Sequence, residues 1–270
     1  MKKLILIGII ILALFLIYSG LDYSTIENGD NGVGNGEVID DENFENEPEE
    51  KAEIAIIIDD LGYNPDLNKE LLKMEEPLTV AIMPFLKNTE KAVDDFKGID
   101  NFELILHMPL EPMGEEHIEE KMIMTDHSQE EIRSLLNQAL SEIKSEVEGI
   151  NNHKGSKFTS DREKMRQFLE VVKENNLFFV DSFTINTSVG FELAKEMNAP
   201  TAKRDIFLDF VDDPDEIRIK LHELEELAME NGSAIAIGHH KENTLNVLQE
   251  ELPKMQNRGV RLVKVSELLN

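Results

Sequence analysis

The sequence predicts an α/β fold: one domain over residues 52–270 built on a parallel sheet or barrel, behind an apolar N-terminal segment and an acidic linker. Three observations predict it. Short β-branched runs alternate with amphipathic stretches over about 220 residues, the pattern of successive β–α units. The first residues are apolar on every side rather than on one face. Between these regions the chain turns acidic, base-free and rich in Gly and Asn, a composition that cannot bury a core.

Lys2 and Lys3 precede Leu4–Tyr18, fifteen residues without a charged side chain, and Asp22 ends the apolar stretch. Residues 1–21 therefore read as a signal anchor or transmembrane segment near the lower length limit for spanning a bilayer. The lysines before it and the acids after it orient the rest of the chain outside the cytoplasm. No small-x-small cleavage pattern follows, so an uncleaved anchor in the cell membrane is expected; cleavage would give a secreted protein. Residues 22–51 read as a disordered spacer, with ten acids and no base between Glu27 and Glu50.

The net charge of −28 comes from 27 basic and 55 acidic residues. It excludes broad binding to nucleic acid, which requires cationic side chains to displace counterions. The spacer segment Glu27–Glu50 holds −10 and residues 52–270 hold −20, so the folded part disfavours polyanions and a neutral or amino-sugar glycan suits it better. Cysteine is absent, so any metal must be held by His and carboxylates.

In the domain, Glu53–Ile58, Leu78–Met83 and Glu103–Leu106 read as buried parallel strands. Gly149–Asn152, Leu177–Val180, Ala199–Ala202, Ser233–Ile237 and Val260–Val263 follow. Helical spacing of apolar residues marks Asn88–Phe96, Ser128–Val147, Asp161–Asn175, Asp213–Asn231 and Asn243–Gln256. Neither a GxGxxG nor a GxxxxGKS loop follows any strand, which argues against a nucleotide site.

Ionisable and amide residues stand at five strand ends: Asp59-Asp60, His107, Asn152-His153, Asp181 and Gly238-His239. Parallel α/β folds gather their functional groups there. Successive strand residues face opposite ways, so Asp59 and Asp60 share a pocket only if the strand has ended. Their mutual repulsion calls for a cation, with one acid as ligand and the other as base. His107, His153 and one Asp make a three-ligand set for zinc or a similar divalent ion, with an open position for water. Phe85, Phe158 and Phe183 follow strand ends and are candidates to line a small pocket; with three Tyr and no Trp, an extended aromatic platform is not expected. His117, His127 and His222 lie in polar surroundings, and His240 follows His239 but points elsewhere.

The segments IIIDDLGY (56–63), VAIMPF (80–85), LILHMPLEP (104–112), NNHKGSKFTSD (151–161), FFVDS (178–182), RDIFLD (204–209) and IAIGHH (235–240) give the sequence a family likeness. It resembles the divergent polysaccharide deacetylases, a branch of the nodulation-deacetylase-like carbohydrate esterases. The resemblance implies a distorted (β/α) barrel of about seven parallel strands. It implies a metal-dependent hydrolase, with zinc the expected ion, that removes acetyl groups from an extracellular or cell-envelope polysaccharide. Carried across, Asp59 is the general base, Asp60 and His107 bind metal, His239 protonates the leaving amine, and Asp181 orients His239. Typical members place a second metal histidine four residues after the first. Here that place is Glu111, so His153 stands in as third ligand, with Glu111 the alternative. The arginine-proline motif of typical members is also absent near position 153, where Lys154 and Lys157 are candidates to steady the acids. The alternative function is a non-catalytic envelope glycan-binding or scaffolding protein that keeps the fold and the metal pocket.

Overall fold

The computed structural model describes residues 52–114, 119–143 and 146–270. The expected anchor (1–21) and acidic linker (22–51) lie outside the described residues. Among the described residues no helix is long and apolar enough to cross a membrane.

Among the described residues the domain alternates strand and helix around a curled sheet of nine strands, every pair parallel. The strands are β1 (Ala52–Leu61), β2 (Leu78–Ile82), β3 (Phe102–Leu110), β4 (Gly149–Lys154), β5 (Phe178–Asp181), β6 (Thr201–Lys203), β7 (Ile206–Phe207), β8 (Ser233–His239) and β9 (Val260–Val263). The helices are α1 (Asn68–Leu71), α2 (Thr89–Phe96), α3 (Gln129–Glu142), α4 (Arg162–Glu174), α5 (Gly190–Glu196), α6 (Pro214–Asn231) and α7 (Glu242–Asn257). All eight expected strands and all five expected helices are present. The strand count exceeds the implied seven because β6 and β7 are short, of three and two residues. The two-residue β7 and the short α1 and α5 are too brief to leave a periodic signal.

Helix starts follow their cap residues. Ser128 and Glu131 form a reciprocal capping box on α3. Asp161 accepts from Glu163 N and Lys164 N at the start of α4, and Asp213 does the same for α6 ahead of Pro214. Helix α3 stops at Glu142, short of the expected Val147, yet Ile143 and Val147 stay buried from the following loop.

The strand order is β6-β5-β4-β3-β2-β1-β8-β7. β8 runs along one edge of β1, while β9 takes Ala52–Ala55 and β2 takes Ile57–Leu61 on the other. The two end strands, β6 and β7, are joined by Arg204 and Asp205 alone. Arg204 N–H donates to Asp181 O at 3.1 Å, and Asp205 N–H donates to Ile235 O at 2.8 Å. The chain itself thus closes the curl into a distorted barrel.

Strand alternation divides the core in two. Ile54, Ile56, Ile58, Leu104, Leu106 and Phe179 belong to the large cluster packed with the helices. Ala55, Ile57, Ala81, Ile105, Val180 and Ile237 form the smaller cluster inside the barrel. At the amino end of the strands, Thr79 Oγ1 donates to buried Glu103 at 2.9 Å, and Val265 N and Ser266 N close over the pair. The polar residues at the carboxyl end surround a cavity instead.

Gly149 opens β4 where the Phe178 ring crosses the barrel, and a Cβ there would stand 2.2 Å from that ring. Gly149→Ala is expected to destabilise the domain by about 1–3 kcal/mol through overpacking. Thermal unfolding followed by circular dichroism checks this; an unchanged midpoint would contradict the packing described.

Candidate metal centre

Asp59 and Asp60 reach one pocket without the strand ending. β1 continues to Leu61, but its register with β2 steps from Ile58↔Val80 to Leu61↔Ile82, three residues against two. The extra residue is a β-bulge, which re-aims side chains. Asp60 sits there with φ 69°, in the left-handed region. Phe85, Lys154 and Phe183, just after β2, at the end of β4 and after β5, also have positive φ. Such conformations cost about 1–3 kcal/mol each and concentrate where a site is being shaped.

Asp59 follows Ala55 and Ile57 on the inner face, His107 follows Ile105, and His239 follows Ile235 and Ile237. Asp59, Asp60, His107, His153 and His239 line one cavity of about 540 Å³ with Lys154, Arg204, Phe207 and Phe210. Within it, Asp60 Oδ1, His107 Nε2 and His153 Nδ1 form a triangle. Its edges are 3.4 Å from Asp60 to His107, 3.1 Å from Asp60 to His153, and 3.2 Å between the two histidines. Tetrahedral donors about 2.0–2.1 Å from a zinc-sized ion stand about 3.3 Å apart. Asp60 Oδ1 is buried and takes no hydrogen bond, as an atom waiting for a cation would be. The three residues fit a divalent ion in spacing and in donor chemistry.

Hydrogen bonds fix how His107 presents itself. Asn151 Nδ2 donates to Asp59 Oδ1 at 2.8 Å, because a carboxylate can only accept. The Asn151 carbonyl then faces His107 Nδ1 at 2.7 Å, so that nitrogen carries the proton and Nε2 turns its lone pair to the triangle. Burial alone would lower the His107 pKa, but the charges of Asp59 and Asp60 raise it. The position calls for positive charge, as a proton or as a metal. Burial lowers the His153 pKa and favours its neutral, ligating form. Burial also pushes Asp60 upward, but the facing imidazoles of His107 and His153 outweigh it and hold Asp60 well below the usual carboxylate range. Asp59, buried at 4 % exposure, is raised above its ordinary value by desolvation.

Glu111, the alternative third ligand, is engaged elsewhere. It accepts from Thr125 N at 2.7 Å, Thr125 Oγ1 at 2.6 Å and Lys157 Nζ at 2.6 Å. Lys154 pairs with Glu119 at 3.2 Å. The amide of Asn151, rather than either lysine, holds Asp59.

The expected orienting acid needs correction. Asp181 follows Phe179 onto the outer face, one pleat step out of phase with Val180, so it turns away from the barrel interior. Its oxygens accept from Phe183 N, Ser188 Oγ and Phe191 N, tying the start of α5. His239 is held by Asp209 instead, with Oδ1 at 2.8 Å from Nδ1 and Oδ2 accepting the His239 N–H at 2.8 Å. The register Ile206↔Ala236, Phe207↔Ile237 carries on to bring Asp209 beside His239. Thr244 Oγ1 completes the hold on Asp209 at 2.7 Å. Burial lowers the His239 pKa, but the hydrogen bond and charge of Asp209 more than reverse that, and it stands above its usual value. The free Nε2 faces the cavity, 4.0 Å from Asp60 Oδ2.

Among the aromatic candidates, Phe158 is buried in the core, Phe85 lines a neighbouring cavity, and Phe183 stands under Lys203. The rings at the site are Phe207, edge-on to His239 with centroids 5.2 Å apart, and Phe210, 86 % exposed at the rim. Both lie in or just beyond the RDIFLD segment, where the short β7 hid them. His240 is buried beside the site, and His222 is exposed on α6. His127 is half-buried and accepts from Met124 N; His117 lies outside the described residues.

The same fold occurs in solved proteins. The uncharacterized protein ATU2773 from Agrobacterium tumefaciens superposes with a TM-score of 0.75 at 20% identity, over 81% of this chain and 89% of that one. A variant of BA3943 from Bacillus anthracis, a CE4 family pseudoenzyme with restored enzymatic activity, superposes with a TM-score of 0.55 at 16% identity, over 83% and 69%. The fold is therefore similar to that of a CE4 family protein. The model of the divergent polysaccharide deacetylases matches residues 56–269, and the chain belongs to that family. The uncharacterized protein YibQ of Escherichia coli is 32% identical over 219 residues, 81% of this chain and 68% of that protein.

Two measurements follow from the geometry. Metal analysis of the purified protein is expected to find one divalent ion per chain, lost in His153→Ala and kept in Glu111→Gln; the reverse pattern would move the third ligand to Glu111. Titration of His239 by NMR is expected to show its pKa fall in Asp209→Asn and hold in Asp181→Asn. A fall in the second variant alone would restore Asp181 as the orienting acid.

Proposed function

We propose that this protein is a metal-dependent deacetylase of an extracellular or cell-envelope glycan, held at the membrane by residues 1–21 with its domain outside the cytoplasm. The observation that carries the catalytic reading is the pairing of a base and an acid around the triangle. Holding a metal requires neither Asp59 nor His239, yet both face the cavity with their own partners.

Asp60, His107 and His153 would hold the ion. A divalent ion there supplies a Lewis acid that polarises the acetyl carbonyl and acidifies water. Asp59 accepts the proton of the attacking water, and its raised pKa brings it nearer neutral pH, where a general base works best. Asn151 keeps that carboxylate aimed while it changes protonation state. His239 delivers a proton from Nε2 to the leaving nitrogen or oxygen, and Asp209 stabilises the imidazolium that must be ready beforehand. Phe210 offers an exposed apolar face to a sugar ring at the rim.

Acetate release from acetylated oligosaccharides, with and without chelator, tests this. Asp59→Asn is expected to lower kcat by about 10²–10⁴-fold with metal content unchanged. Because His239 must be protonated, activity should decline as pH rises through its elevated pKa, and Asp209→Asn should move that decline to lower pH. Full metal occupancy with no acetate released from any acetylated glycan would favour the binding-protein reading.

A further inference from the structure

The cavity contains a cation that the proposed chemistry does not use. Arg204 lies in the two-residue link that closes the barrel, and it lines the same cavity as Asp59, Asp60 and His239. Its backbone is pinned to β5 through Asp181 O, so the side chain starts from a fixed point. Nε donates to Ser182 O at 2.7 Å and Nη2 to Phe183 O at 2.8 Å. The guanidinium carbon stands 5.0 Å from the Phe207 ring centre, within cation–π range. Among the described residues Nη1 has no acceptor, and the group forms no ion pair.

A half-buried guanidinium held only by carbonyls and a ring is expensive to keep. Burial pushes its pKa down, partly offset by the charges of Asp59, Asp181 and Asp205. The acids that act on it, Asp59, Asp181 and Asp205, stand beyond ion-pair distance and take hydrogen bonds from Asn151, from Phe183, Ser188 and Phe191, and from Ile235. His239 as imidazolium balances Asp209, and a divalent ion held by Asp60, His107 and His153 would balance Asp59 and Asp60. Arg204 remains, with a flat donor edge suited to a carboxylate. The acidic exterior of the domain does not cancel this, because its field is screened within about 8 Å at physiological salt.

We infer that Arg204 binds a carboxylate on the glycan entering the cavity, so that the substrate is an acetylated sugar bearing an acid group. This rests on the deacetylase reading for the word substrate, but not for the binding itself. Phe207 packs against the guanidinium, and Phe210 from the same segment supplies the apolar contact. Arg204 is thus a specificity residue rather than a catalytic one.

Calorimetric binding to the zinc-loaded full chain tests the inference with two probes. One is a neutral tetrasaccharide of N-acetylglucosamine. The other has the same length, with alternate rings carrying a carboxylate through an ether. The carboxylated probe is expected to bind about tenfold more tightly, the effect of one charge-assisted contact. Arg204→Gln should bring the two within about twofold while metal content stays constant, and Arg204→Lys should keep part of the preference. Equal binding by the wild type, or binding of neither probe, overturns the inference without any variant. A preference that survives in Arg204→Gln, with acetate release from both probes reduced equally, also overturns it and makes Arg204 a support of Asp59. Preference without acetate release leaves the role of Arg204 standing and contradicts only the catalytic reading.

Discussion

Two adjacent carboxylates brought to one buried site by a bulge set the terms for everything around them. Asp59 and Asp60 cannot both be charged in a low-dielectric pocket without compensating charge nearby. The structure supplies the compensation asymmetrically. Asp60 faces His107 and His153 and is driven to the ionised, ligating form. Asp59 receives one amide hydrogen bond and is left with a raised pKa. One bulge residue therefore separates a candidate ligand from a candidate base, and Asn151 bonds to Asp59 on one side and His107 on the other.

The departure at Glu111 becomes intelligible in the same terms. In place of a ligand from the loop after β3 the neighbouring strand offers a candidate, since Pro109↔His153 register sets the β4 histidine two residues beyond the level of His107. Glu111, freed from the site, pins Thr125 and Lys157 and so ties the loop after β3 to the one after β4. The domain offers three candidate ligands without cysteine and without the usual second histidine.

Much of this was legible in the sequence. The strands announce themselves because parallel strands covered on both faces are continuous apolar runs, as in Glu53–Ile58 and Leu78–Met83. The gathering of Asp59, Asp60, His107, His153 and His239 at one cavity was legible because ionisable residues at strand ends have few other reasons to be there. What was not legible depended on phase and on very short elements. Asp181 was misassigned although the pleat could have corrected it: Phe178 and Val180 face inward, so the next residue faces out. Asp209 was missed because its strand is two residues long, and its place beside His239 depends on a register that only the closed barrel defines. The bulge at Asp60 leaves no signature in composition or periodicity, since Asp tolerates a positive φ without Gly being required.

The account stands or falls on the triangle of Asp60, His107 and His153. Crystals of the zinc-loaded protein, measured on both sides of the zinc absorption edge, locate the ion directly. The account predicts one anomalous peak within bonding distance of Asp60 Oδ1, His107 Nε2 and His153 Nδ1, with Glu111 remote from it. A peak bound by Glu111 in place of His153, or stoichiometric zinc with no peak at the triangle, would contradict it.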